Sequence, residues 1–407
     1  MKLQEHSLRR LRRPVIPRMH NVTACLAGLA ASFLAAPFAW GHAGDDVGQH
    51  LAKIAAVGPH GAGSAAAQAS SQALAAKGTD VLPRLLTAME TENPVAANWY
   101  RSAYESIVER EFQKTSPQFP VAELHEFVLD PRHQGRVRRL VLGLCDRLDP
   151  QYSAQLIPRM LDDPEFRDDA VERELAVGQE AVDAGDSEAA RDAFRQAFEH
   201  SRDGNQTARA AAKLSGFGEQ VDIAAHLGLV IDWWLIGPFD APRFTGFSRE
   251  FPPEKRVVLG EQYPGQLGAP IGWLRHRTSD ALGLVNLVAA LAPCQEAVGY
   301  AYAQVVATAD RAAELRCGAD DNCTVWLNGQ KVFSREQWLN GIRFDRFRAT
   351  VRLKRGPNEL LVKVCQGPPN KDPQVANNWS LQLRFCDENG KGIPLGVVSP
   401  PPAEASP

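Results

Sequence analysis

A chain of 407 residues is long enough for two domains. Its 44% hydrophobic and 23% charged residues are ordinary for a soluble globular protein. A formal net charge of −3 argues against nucleic acid as a partner, because no basic footprint is present. The sequence holds no G-x-S-x-G, H-E-x-x-H or P-loop pattern, so it offers no support for the hydrolase, metalloprotease or nucleotidase chemistries those patterns serve.

The chain opens with Arg9, Arg10, Arg12, Arg13 and Arg18, an apolar run from Val22 to Trp40, and Gly41-His42-Ala43. This is the order of a basic region, a hydrophobic region and a small-residue cleavage site, so residues 1–43 are expected to be a signal peptide cut after Ala43. The mature chain would then be acidic and exported, periplasmic or extracellular. The alternative is an uncleaved anchor, since the run approaches the roughly 20 residues that cross a bilayer. Membrane contact is expected only in that case. Export permits disulfides among Cys145, Cys294, Cys317, Cys323, Cys365 and Cys386. None of these lies in a C-x-x-C motif, so no zinc ribbon, thioredoxin or haem motif is encoded.

Residues 44–79 are rich in Ala, Gly and Ser and read as a low-complexity lead-in, or as a loose first helix pair with a flexible turn at Gly58–Gly63. From Asp80 to about 220 the apolar residues recur at helical spacing. Pro94, Pro131 and Pro164 punctuate this stretch, each expected to end one helix and start the next. Helix pairs with a period in the thirties predict a solenoid-like repeat domain suited to a protein partner. The stretch around Gly185-Asp186-Ser187 supplies a helix C-cap and N-cap, and the array resembles HEAT or TPR repeats. Phe194 and Phe198 are four residues apart, the spacing of a buried helix face.

The period changes between Gly216 and Gly228. Leu229 to Asp240 is β-like and ends at a Gly-Pro turn, and residues 241–270 read as a loop-rich crossing. Trp273–His276, Val298–Ala309, Val351–Leu353, Glu359–Val364 and Trp379–Phe385 follow as strands. Between them, Ala313–Arg316 and Thr324–Leu327 flank a polar turn at Gly318–Asn322. A second turn, Asn328-Gly329, tolerates the positive φ of a two-residue hairpin. Cys317 and Cys323 would face each other across the first turn, either bridged or as two buried thiols. The fold class is therefore multidomain α and β: helical repeats followed by an antiparallel β-sandwich over 228–398. Residues 399–407 read as a disordered tail.

The run TVWLNGQKV, followed by Leu353, Gly356, Asn358, Leu360, Val362, Lys363 and Val364, resembles the galactose-binding-like jelly roll that accompanies glycoside hydrolases. The resemblance implies a non-catalytic sandwich that binds a glycan. Asp320-Asp321 ahead of the Asn-Gly hairpin resembles the PA14 lectin module, in which such aspartates coordinate calcium. Calcium takes 6–8 oxygens, and Asp320, Asp321 and Asn328 would supply some of them. The plainer expectation is a solvated turn in which Asp caps its own backbone.

For a sugar, the candidate residues are Trp338, Asn340, Arg343 and Asn328. Trp338 lies in the loop Ser334–Arg343, where its face can stack on a pyranose while polar neighbours meet hydroxyls. The competing reading of Trp338 is simple packing, and Trp233, Trp234, Trp326 and Trp379 are expected in the core or between domains. No catalytic residue is assigned, and no cofactor beyond calcium. The expected function is an exported binding or scaffold protein. The alternative is a carbohydrate-active enzyme, or its accessory subunit, with a site the sequence does not reveal.

Overall fold

The computed structural model describes residues 45–338, 341–369, 372 and 378–397. The expected leader at 1–43 and tail at 399–407 lie outside them. Among the described residues no helix is long and apolar enough to cross a membrane.

The first half is helical. Helices α1 (Asp46–Ala55), α2 (Ser64–Ala75), α3 (Leu82–Met89) and α4 (Pro94–Phe112) share one core. That core continues through α5 (Val121–Leu129), α6 (Gly135–Leu148) and α7 (Tyr152–Leu156). Of the two readings of the Ala- and Ser-rich stretch, the structure has the helix pair, α1 and α2, and it is part of the fold. Its small residues allow close approach, and Ile54, Ala67 and Leu74 are buried with Leu82 and Tyr100. A second cluster joins α8 (Arg167–Asp183), α9 (Ser187–His200) and α10 (Gly204–Gly216), with Phe194 wholly buried and Phe198 nearly so.

Caps set the helix starts. Asn93 accepts from the amides of Val95 and Ala96, which leaves Pro94 at the first helical position as expected. Pro131 and Pro164 do not open helices in this way. The helices after them begin at Gly135 and Arg167, and at the second site Asp163 instead caps Glu165 and Phe166. Asp186 caps α9 through the amide of Ala189, after Gly185 has turned the chain at positive φ.

After α11 (Ile223–Leu227) the chain becomes β. The strands are β1 (Asp232–Asp240), β2 (Gln262–Pro264), β3 (Pro270–Gly272), β4 (Leu274–Arg277), β5 (Val285–Asn286) and β6 (Ala297–Ala307). They continue as β7 (Arg311–Asp320), β8 (Asn322–Leu327), β9 (Gln330–Arg335), β10 (Phe347–Leu353), β11 (Gly356–Gln366), β12 (Ser380–Cys386) and β13 (Gly396–Val397). Two antiparallel sheets stack as a sandwich. The larger has the order β4-β1-β6-β11-β8-β9, with β13 also paired to β6, and the smaller has β10-β7-β12-β5. Strands β2 and β3 form a separate ribbon.

Alternation along each strand assigns its faces. In β6, Ala301, Ala303 and Val305 point into the sandwich with Leu315, Val325, Val362 and Leu383. Tyr300 and Tyr302 point outward, joined by Leu361 and Cys365 of β11. Residues 241–273 cover this outer face with Phe247, Phe251, Val257 and Tyr263, so the loop-rich crossing is a packed cover. Short helix α12 (Pro252–Lys255) sits within it.

The outer face of the small sheet meets the helical half. Arg384 is 1% exposed and donates to the carbonyls of Leu227 and Gly390. Its Nε donates to Asp345 at 2.7 Å, and Arg316 reaches the same carboxylate at 3.0 Å. Arg167 of α8 donates to the carbonyl of Asn389. The linking residue Gly228 has φ +71°, and a Cβ there would stand 2.2 Å from the carbonyl oxygen of Phe385. Only glycine lets the chain enter the sandwich so close to β12.

One expectation fails at an informative place. Gly318–Asn322 is not a hairpin turn. Strand β7 runs through to Asp320 and β8 starts at Asn322, and the two strands belong to different sheets. The polar residues mark a corner where the chain crosses between layers.

Candidate functional site

That corner places the aspartates. Asp320 ends β7, Asn322 begins β8, and Asp321 links them through a cis peptide bond. The amide of Asp321 donates to the carbonyl of Cys365, tying the corner to β11. Both carboxylates are buried, Asp320 at 5% exposure and Asp321 at 3%, which overturns the solvated-turn expectation. Asp321 Oδ2 accepts from the amide of Gly367 at 2.9 Å. A Cβ on Gly367 would lie 2.7 Å from that oxygen and 3.2 Å from the Trp338 ring, so only glycine fits between them.

The two carboxyls hydrogen-bond to each other. Burial, then the bond to Asp321 and its charge, push Asp320 up to about 7, and Arg346 opposes the shift. Near neutral pH the Asp320 carboxyl therefore still carries its proton in a sizeable share of molecules. Asn322 is wholly buried beside them. Its Oδ1 accepts from the amide of Gln337, while its Nδ2 has no hydrogen-bond partner. An orphaned buried amide of this kind is uncommon and costs free energy unless a ligand or water completes it.

Trp338 is half-buried and follows directly on this polar centre. Its Nε1 donates to Glu336 at 3.2 Å. Its ring meets Phe244 edge to face, with centroids 4.7 Å apart and an interplanar angle of 77°. Phe244 is 47% exposed. Arg243 and Phe244 both have positive φ, and the amide of Arg243 donates to Glu296. The backbone of the 241–273 cover is thus turned to present Phe244 at the sandwich end, beside Trp338.

The other sequence candidates separate. Asn340 lies outside the described residues. Arg343 is exposed, and its carbonyl lies against Gly318, where a Cβ would come within 2.3 Å. Asn328 sits at the opposite end of β8, about 20 Å away at strand rise. There it donates to Asn358 and accepts from the amide of Glu359, so it ties two turns together and does not join the site.

Cys317 and Cys323 do face each other, from one sheet to the other and not across a hairpin. Both are free buried thiols, and the bond from Cys317 together with burial raises the Cys323 thiol well above its usual range. Phe244 and Gly367 were invisible to sequence reasoning. They lie 94 and 29 residues from Trp338, and no local pattern links either to it.

Among the described residues, no group of three or more His, Cys, Asp or Glu side chains could hold a metal ion. Asp320 and Asp321 supply hard oxygens of the kind calcium takes, but only part of its shell. The remainder would come from carbonyls, water or a ligand's hydroxyls.

No family model matches the chain, and no curated protein matches it significantly. Among solved structures, the PA14 domain of the MpAFP antifreeze protein is 14% identical, with a TM-score of 0.18. The match covers 24% of this chain and 48% of that one. A GH2 β-galacturonidase from Eisenbergiella tayi matches at 8% identity and TM-score 0.21, over 39% of this chain and 25% of that one. A Faecalibacterium prausnitzii β-glucuronidase matches at 12% identity and TM-score 0.19, over 39% and 31%. The chain spans less than half of each, and likenesses of this size carry no argument about function.

Proposed function

We propose that the protein is a non-catalytic glycan-binding protein whose sandwich holds a sugar at the end bearing Trp338. The observation that carries this reading is the convergence of an aromatic pair, Trp338 and Phe244, with the buried centre of Asp320, Asp321 and Asn322. An aromatic face stacks on a pyranose, and carboxylate and amide groups fix its hydroxyls. Calcium between the aspartates and the sugar is part of the proposal. The helical half, solenoid-like and of the HEAT or TPR kind, would carry a protein partner. Export follows from the leader expected at 1–43, and in an oxidising compartment Cys317 and Cys323 are the pair placed to close.

Binding is preferred over catalysis because glycoside hydrolysis uses two carboxyls roughly 5–10 Å apart across the scissile bond. Asp320 and Asp321 are in hydrogen-bond contact, closer than that geometry allows.

The test is a glycan array on the full chain, with and without calcium, followed by calorimetry on any hit. Trp338→Ala and Phe244→Ala are expected to weaken binding at least tenfold. A parent protein that binds no glycan in either condition sinks the reading.

A further inference from the structure

A second feature of the sandwich lies away from Trp338. On the outer face of the large sheet, the register places Trp326 beside Leu361 and Leu361 beside Tyr302, in one row across β8, β11 and β6. Neighbouring strands are about 4.8 Å apart, so the row spans about 10 Å, the scale of one sugar ring and its substituents. The cover formed by residues 241–273 closes over the adjacent row and, through Trp273, over part of Tyr302, leaving the half-buried Trp326 and the edges of Leu361 and Tyr302 as the floor of a cavity of about 320 Å³. That volume falls at the lower end of the roughly 300–1,000 Å³ of small-molecule sites. Lys331 lies 5.6 Å from the centroid of Trp326 and helps hold the indole in place.

The walls are charged. Lys255 and Arg256, both exposed, line the cavity from the cover, and Glu359 lines it from β11. Glu254 lines it too, but its carboxylate is neutralised by Lys363 at 2.7 Å. The available charge therefore favours an anion. The Tyr302 hydroxyl donates to Glu359 at 3.4 Å, and the oxygens of both keep acceptor capacity for a ligand's hydroxyl groups.

We infer that this cavity is a separate binding site for a pyranose that carries a carboxylate, a sugar acid. The ring lies on Trp326 and Leu361, Arg256 and Lys255 hold the carboxylate, and Glu359 and Tyr302 receive the hydroxyls. Arginine suits the task because its planar fork matches a carboxylate. The inference takes its sugar class from the glycan reading above, but its residues are different.

The experiment is saturation-transfer NMR and calorimetry on the full chain with three probes: D-glucuronate, D-glucose and acetate. Glucuronate should bind saturably and at least tenfold more tightly than glucose, and acetate should not displace it. Trp326→Ala should abolish binding and Trp326→Phe should restore part of it. Arg256→Gln and Lys255→Gln, at exposed positions that leave the fold undisturbed, should each weaken glucuronate severalfold without affecting the melt. Failure of the parent to bind glucuronate, equal binding of glucose, or displacement by acetate would each overturn the site. Loss in Trp338→Ala with retention in Trp326→Ala would overturn it while leaving the loop-end reading intact.

Discussion

The sandwich buries two charged centres, and they follow opposite logic. Beneath the cover, Lys363 is 2% exposed and donates to Glu254 at 2.7 Å and to the carbonyls of Arg249 and Phe247. Tyr300 donates to the same Glu254 oxygen at 2.5 Å and is pushed well above its usual range, first by burial and then by that carboxylate. Unlike charges meet there, and each donor on Lys363 has an acceptor. At the sandwich corner, like groups meet: burial and the neighbouring Asp321 hold the Asp320 carboxyl well above its usual range, and Asn322 keeps an orphaned amide. A buried polar centre that is complete holds the structure together. One that is incomplete among its own side chains is completed by water or by a ligand. The first centre clamps the cover to the sheet, and the second underlies the proposed site.

The clamp should give the largest effect. Lys363→Met leaves Glu254 buried without its counter-charge and releases two carbonyls of the cover. Removing one partner of a buried pair typically costs about 3–5 kcal/mol. Chemical denaturation should show a loss of that size, and Lys363→Met combined with Glu254→Gln should recover much of it. A single variant as stable as the parent would show that the pair is solvated and that the contrast between the two centres is false.

The corner should give a smaller, pH-dependent effect. The Asp320 carboxyl is raised from 3.8 to about 7, so the folded state holds a proton that the unfolded state releases. Stability from this group is complete below the unfolded value and is lost as pH rises towards 7. Between pH 5 and pH 8 the parent should lose on the order of 2 kcal/mol from it, at about 1.4 kcal/mol per unit. Asp320→Asn should flatten that slope. Calcium competes with the same proton, so it should raise the Tm of the parent more at pH 8 than at pH 5.5 and should not raise that of Asp320→Asn. A calcium effect equal at both pH values would place the ion elsewhere.

How far the sequence reaches differs between the same two centres. Alternation in AVGYAYAQVVA and in the Glu359–Val364 run is local, so the strands and their faces could be read from it. The exit from the helices at Gly216–Gly228 was legible for the same reason, a change of period. The corner was not. Polar turn residues at Gly318–Asn322 serve a hairpin and a crossing between sheets equally well, and the choice is made by partners far along the chain, β12 for β7 and β11 for β8. Burial of Asp320 and Asp321 depends on that choice and on Gly367, which no short-range pattern announces. The cover was legible as a loop-rich crossing, because its prolines and glycines signal irregular backbone. They do not reveal that Phe247, Phe251 and Tyr263 between them pack on a sheet face.

The smallest expected effect on stability belongs to Trp338, and it sharpens the comparison from the ligand side. Trp338 is half-buried, and the ring contact described for it is an edge-to-face meeting with Phe244. Such a pair contributes about 0.5–1.5 kcal/mol beyond area burial. Trp379 is the control: it is wholly buried in the sandwich, and its Nε1 donates to the carbonyl of Val364. Trp379→Ala should cost about 3–5 kcal/mol, as for other large-to-small core substitutions. Trp338→Ala should cost about 1–2 kcal/mol, the ring pair plus partial burial of the indole, and leave the near-ultraviolet spectrum native apart from the lost indole. If Trp338 serves a ligand, the same variant should lose glycan affinity far out of proportion to that small change. A melt lowered as much as that of Trp379→Ala would instead make Trp338 a packing residue, and the aromatic half of the proposed site would be gone.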